Sequence, residues 1–341
     1  MSIPSNKVFT LINKNKVEVA FMANGGRIIG IKVPDKKGAL ADVVIGYQTP
    51  EEALKGDAYF GAICGRYANR IVNGKFSIDG KSYQLKCNND KNHLHGGTMG
   101  FNTKEWEVTP ISNSKFAQAY KLSLISPDGD QKYPGELKVD VIYGITNENE
   151  FVIEYTAQTS KPTIINLTSH PYFNLKGAGS GTVENHELQI NATHYTPIDE
   201  KLGTVNGEIA SVKDTPMDFT KAKKIGDTCN AKDHQVKMVN GIDHNFVIDG
   251  EMGILKLAAT LFDPESGRKM EVYTDQPGIQ IYTGGHFDSS EIGKMGVPIE
   301  KWGGVALETQ IFPDSPNHDH FPKAILNPGE TYKHTCIYKF S

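Results

Sequence analysis

The chain has 341 residues and a formal net charge of −4, with its 36 lysines and arginines scattered singly or in pairs. Such a chain offers no basic footprint for nucleic-acid phosphates or an anionic membrane surface, and a small neutral or weakly charged partner fits better. The opening run Met1-Ser2-Ile3-Pro4-Ser5-Asn6-Lys7 lacks the apolar run of a secretory signal, and no stretch approaches the ~18 to 20 apolar residues that span a bilayer. Cys64, Cys87, Cys229 and Cys336 are far apart, without the spacing of a zinc knuckle or a disulfide framework, so a reducing, cytoplasmic setting is expected.

In chain order, segment 16–21 alternates apolar and polar residues, the mark of a strand with one face on a core. Helical periodicity is scarce: a short helix is predicted over 50–54 after Thr49, and a turn near 289–295. Segment 75–85 alternates again and folds about Asp79-Gly80, a hairpin signal. Segments 137–143 and 151–157 form a second predicted hairpin around Thr146-Asn147-Glu148-Asn149-Glu150. The glycine-rich stretch 176–182 reads as a loop, and no linker or fixed-period repeat is present, so residues 1–341 are expected to form a single domain. With 34 glycines and 17 prolines punctuating runs of this length, the expected class is all-β, a large antiparallel β-sandwich.

Three distant segments carry acid/base chemistry. In Asn92-His93-Leu94-His95-Gly96-Gly97, a period of two would send His93 and His95 to the same face, and the glycines allow a turn or a close approach. In Asn166-Leu167-Thr168-Ser169-His170-Pro171-Tyr172-Phe173-Asn174-Leu175, the proline biases His170 toward extended backbone among polar groups able to orient an imidazole. Glu308 interrupts the otherwise nearly uncharged strand around Leu307-Glu308-Thr309-Gln310, where burial would raise its pKa toward that of a useful base. Arg70 could hold vicinal hydroxyls or an anion, or serve in a structural ion pair. Asp243 and Gln280 could accept or donate to hydroxyls, or simply build turns. Histidines with a carboxylate also suggest a three-histidine, one-carboxylate metal site, although spacing does not fix a coordination geometry.

Taken jointly, Asn69-Arg70-Ile71, Asn92-x-Leu94-His95-Gly96-Gly97, Asn166-Leu167-Thr168-x-His170-x-Tyr172-Phe173-Asn174-Leu175, Tyr195-Thr196-Pro197, Gly241-x-Asp243-x-Asn245-Phe246, Pro277-Gly278-x-Gln280-x-Tyr282-Thr283-Gly284, Leu307-Glu308-x-Gln310 and Asn327-Pro328-Gly329-Glu330-x-Tyr332 resemble the aldose 1-epimerase (galactose mutarotase) family. The resemblance implies a β-sandwich of the galactose mutarotase type with a sugar in a cleft on a concave face. It implies an isomerase that interconverts α and β anomers of free aldoses such as galactose and glucose. Carried over position by position, Glu308 is the base, His170 the acid and His95 an assisting ligand, with Asn69, Arg70, Asp243 and Gln280 binding hydroxyls. No metal or nucleotide is needed, and the protein is expected as a monomer or homodimer.

Competing readings are a glucose-6-phosphate 1-epimerase, which would want a second cationic cluster beside Arg70 and the nearby Arg66, an enzyme cleaving uronate polymers by β-elimination, and a noncatalytic sugar-binding protein. A glycoside hydrolase would want two carboxylates, and the motifs supply one. An ion pair of Glu308 with His170 would lower the carboxylate's pKa and raise the imidazole's, whereas burial works the other way.

Overall fold

The computed structural model describes residues 7–56 and 59–341. The alternating segments form antiparallel strands as expected, and two sheets dominate. In the nine-stranded sheet, Glu107–Ile111, Gln118–Ser126, Leu137–Ile145 and Glu150–Thr159 run as a meander that Tyr332–Phe340 extends. Lys269–Thr274, Lys256–Phe262, Glu187–Ile190 and Lys223–Lys224 complete it. The seven-stranded sheet follows the order Ala210–Ser211, His194–Thr196, Asp243–Val247, Gly278–Tyr282, Val305–Gln310, Tyr172–Phe173 and Val44–Ile45. Segment 16–21 enters a separate four-stranded sheet as Glu18–Met22.

Because side chains alternate along a strand, each sheet has a core face. Val139, Val141, Tyr155 and Tyr338 from the nine-stranded sheet and Phe246, Ile279, Ile281, Val305 and Leu307 from the seven-stranded sheet meet in one buried cluster. The residues between them on the seven-stranded sheet, Asp243, Gln280, Tyr282 and Glu308, are thereby turned to its other face.

Local chemistry explains the turns and caps. Asp79 and Gly80 have φ of 49° and 75°, the doubly left-handed geometry that joins Lys75–Ile78 to Lys81–Gln84. The helix over Pro50–Ala53 begins with a capping box: Thr49 Oγ1 accepts from Glu52 N, and Glu52 Oε2 accepts from Thr49 N at 3.1 Å. The 289–295 region holds only a 3-10 turn at Lys294–Gly296. Helices at Ile225–Cys229 and His234–Met238 escape periodicity because each is barely more than one turn.

Arg66 is a structural staple. It is 2% exposed, and its guanidinium donates to the carbonyl oxygens of Ser126, Pro127 and Pro134 at 2.8–2.9 Å. The nearby arginine considered for phosphate binding is therefore committed to the 126–134 loop. Replacing it with Met would leave those carbonyls without a partner, and Arg66→Met is expected to lower stability by ~2 to 4 kcal/mol. Urea unfolding checks this as a lower midpoint at unchanged m value.

Candidate active site

Val305–Gln310 is buried along its whole length and lies between Gly278–Tyr282 and Tyr172–Phe173. In this register Glu308 pairs with Gln280, and Gln280 with Asn245. Asp243 precedes Asn245 by two positions and so shares its face. A carboxylate, an amide and a second carboxylate thus project side by side from three adjacent strands.

The opposite wall comes from the short ladder that pairs Arg70 with Leu94 and Ile71 with His93. Here the sequence-based expectation for the histidine pair fails. His95 adopts φ 49°, which reverses the side-chain alternation, so His93 and His95 face different ways. His93 turns inward, where Nδ1 donates to Lys86 O and the Tyr133 hydroxyl donates to Nε2, each at 2.7 Å. His95 joins the cleft. Gly96 serves this turn: a Cβ there would fall 1.8 Å from Gly65 O, so the close approach is to the protein's own backbone rather than to a ligand.

Glu308, His170, His95, Asn69, Arg70, Asp243 and Gln280 all line one cavity of about 320 Å³. His170 Nε2 lies 3.3 Å from Glu308 Oε1, with both side chains almost wholly buried. A polar chain runs along one side. Asn89 Oδ1 accepts from Arg70 Nε at 2.9 Å, Arg70 Nη1 lies 3.5 Å from Asp243 Oδ2, and Asp243 Oδ1 accepts from Gln280 Nε2 at 2.7 Å. The ion pair weighed for Arg70 thus exists, and it lies in the cavity wall. Gln280 Oε1 and Glu308 Oε2 are buried without a protein partner, which leaves two acceptors for hydroxyl donors.

Several lining residues escaped the sequence reading. Asn89 lies in a polar turn without periodicity. Tyr59 places its ring 4.6 Å from that of His95, and Tyr172 places its ring 4.8 Å from that of His170. Tyr282 and Phe287 extend this aromatic wall. Tyr172 and Tyr282 sit inside the recognised motifs and share parity with His170 and Gln280, a signal that could have identified them. Tyr59 and Phe287 carry no such signal.

Burial governs the charges. It pushes the His170 imidazole down to about 4 and the Glu308 carboxyl well above the usual carboxylate range, the latter reinforced by Asp243 and opposed by Arg70. It also holds His95 well below the ordinary imidazole value. The shifts run opposite to those of an isolated ion pair because desolvation outweighs the attraction.

His95, His170 and Glu308 also bring donor atoms within 4.8 Å of one another, close enough to surround a metal ion. His95 suits that role poorly. Its Nδ1 accepts the Asn69 N–H at 3.2 Å, so in the neutral ring the proton resides on Nε2 and neither nitrogen has a free lone pair. That tautomer instead offers an N–H donor.

A family model described as aldose 1-epimerase matches residues 7–339. The galactose mutarotase of Bos taurus is 43% identical over 330 residues, which cover 97% of this chain and 93% of that protein. The aldose 1-epimerase of Escherichia coli (strain K12) is 36% identical over 336 residues, covering 98% and 95%. The crystal structure of galactose 1-epimerase from Lactobacillus acidophilus NCFM superposes with a TM-score of 0.88 at 31% identity, covering 100% of this chain and 97% of that one. With its fold and nearly its full length matched in this way, the chain belongs to the aldose 1-epimerase family.

Proposed function

We propose that this isomerase acts on free aldoses such as galactose and glucose, with Glu308 and His170 exchanging protons with the sugar. The contact between His170 Nε2 and Glu308 Oε1, at 3.3 Å on the wall of a sugar-sized cavity, carries the reading. Glu308 removes the proton from the anomeric hydroxyl while His170 protonates the ring oxygen. The bond between C1 and the ring oxygen breaks, giving the open-chain aldehyde. Rotation about the C1–C2 bond presents the other carbonyl face, and reclosure returns both protons. His95 donates through Nε2–H to a sugar oxygen. Asn69, Arg70, Asp243 and Gln280 bind hydroxyls, and the aromatic wall packs against the apolar C–H surface of the ring.

The charge states suit this cycle. A pair holding one proton in all carries no net charge, whether the proton resides on Glu308 or on His170. Carboxylate with imidazolium opens the ring, and carboxyl with neutral imidazole is the state left behind, ready for closure. The two differ by one proton transfer. States with no proton or two protons carry net charge, and burial disfavours both.

A phosphorylated sugar fits less well. Among the described residues lining the cavity, Arg70 is the only lysine or arginine, and Asp243 already lies against it. A phosphate dianion would want further cationic donors.

Polarimetry on freshly dissolved α-galactose and α-glucose tests the proposal directly, and failure to speed the approach to equilibrium for any free aldose would overturn it. Glu308→Gln is expected to lower kcat by ~10² to 10⁴ with little change in KM, and His170→Asn by a similar factor. The double variant should be much less impaired than the product of the single losses, because both groups act on one transition state.

The pH profile of kcat/KM should be a broad bell. Its acid limb is the gain of a second proton by the pair and its alkaline limb the loss of the shared one, so each limb belongs to both residues. In His170→Asn the residual activity needs only the Glu308 carboxylate, and the alkaline limb should disappear. An alkaline limb that stays in place would mean His170 is not the acid.

A further inference from the structure

A buried histidine outside the cavity, His334, touches both segments that carry the acid/base pair. It is 1% exposed on Tyr332–Phe340, in the nine-stranded sheet, and faces the interior. Its Nδ1 lies 3.1 Å from Leu167 O, and its Nε2 lies 2.8 Å from Thr309 Oγ1. A carbonyl oxygen can only accept, so Nδ1 carries the proton and Nε2 accepts from the Thr309 hydroxyl. Tyr155 stacks on the ring at 4.7 Å and 20°, and its hydroxyl meets Ser169 Oγ at 2.8 Å, which further fixes the imidazole against the chain beside His170.

The placement of these bonds matters. Tyr172–Phe173 and Val305–Gln310 are joined by the pairs Tyr172 with Ala306 and Phe173 with Val305. Continued in register, the ladder would set His170 against Glu308. Instead the chain passes through Pro171, which has no N–H, and Thr168–Ser169 pairs with Ile63–Cys64. The two reacting side chains therefore lie where their segments part. Beyond that gap, His334 bridges Leu167 and Thr309, one on each segment. Two further residues of its strand grip the same pair of segments. The Tyr332 hydroxyl accepts from Leu167 N at 3.2 Å, and the Tyr338 hydroxyl donates to Leu307 O at 2.9 Å.

We propose that His334 is a positioning residue for the isomerisation: it ties the segment carrying His170 to the strand carrying Glu308 and sets the reach between the two groups. The inference rests on the acid/base roles proposed above. Because His334 does not line the sugar cavity, its loss should affect proton transfer and leave sugar binding alone.

The test is steady-state polarimetry on the full-length protein, with circular dichroism and a thermal midpoint for each variant. His334→Leu, which preserves bulk but neither hydrogen bond, should lower kcat by ~10- to 100-fold with KM changed by less than about twofold. His334→Gln, whose amide can donate to Leu167 O and accept from Thr309 Oγ1, should recover most of that loss. Thr309→Val removes a single bond and provides the readout if His334→Leu does not fold; it should lower kcat at unchanged KM. Folded variants that match wild-type kcat, or a glutamine variant no faster than the leucine variant, would overturn the proposal. Glu308→Gln measured in parallel separates the two failures. A slow Glu308→Gln beside unimpaired His334 and Thr309 variants removes the positioning role alone, whereas a fast Glu308→Gln removes the acid/base reading and this inference with it.

Discussion

The site depends on keeping a carboxyl and an imidazole out of water at hydrogen-bonding distance. Neither group would be unusual in solvent. On a central strand, Glu308 has neighbours on both sides and a hydrophobic core beneath, so its charge is expensive, and the same holds for His170. The result is a pair most at ease with one proton between them. In the proposed cycle one proton goes to the sugar as another is taken from it, so the pair keeps a single proton and no net charge.

The rest of the cavity accommodates this constraint. Arg70 would place a positive charge beside the pair, but Asp243 faces it at 3.5 Å, and the two push the Glu308 carboxyl in opposite directions. Gln280 shares Asp243 as acceptor, and its own carbonyl oxygen is buried without a protein partner. A ligand rich in hydroxyls can donate to such acceptors, and the tyrosines and Phe287 offer apolar surface without demanding charge. The combination favours a neutral polyhydroxylated ring over an anion.

The two sheets divide the labour. The seven-stranded sheet presents the polar face that lines the cavity, with alternate side chains anchoring it in the core. The nine-stranded sheet supplies that core and also sends polar groups across it: the Tyr143 hydroxyl donates to Gly26 O at 2.7 Å, and Tyr155 and Tyr338 reach the Ser169 and Leu307 neighbourhoods. Buried hydroxyls of this kind, satisfied by backbone carbonyls and neighbouring side chains, lock segments in place more specifically than apolar packing can.

Much of this was present in the amino-acid sequence. Period-two alternation marked the strands, Asp79-Gly80 specified its hairpin, and the ordered motifs identified the family and the residues that the structure gathers around one cavity. These signals are local, or depend on residue type at fixed spacing, so one chain read in order contains them. Other features needed the fold. The left-handed backbone at His95, which separates it from His93, depends on its bonds to the Asn69 backbone. Asn89 and Tyr59 reach the cavity from turns with no periodicity. Arg66 became a loop staple only because three carbonyls converge on it. The direction of the Glu308 and His170 shifts was likewise undecidable from sequence, because it depends on how completely neighbouring strands exclude water, and that is a property of packing in three dimensions.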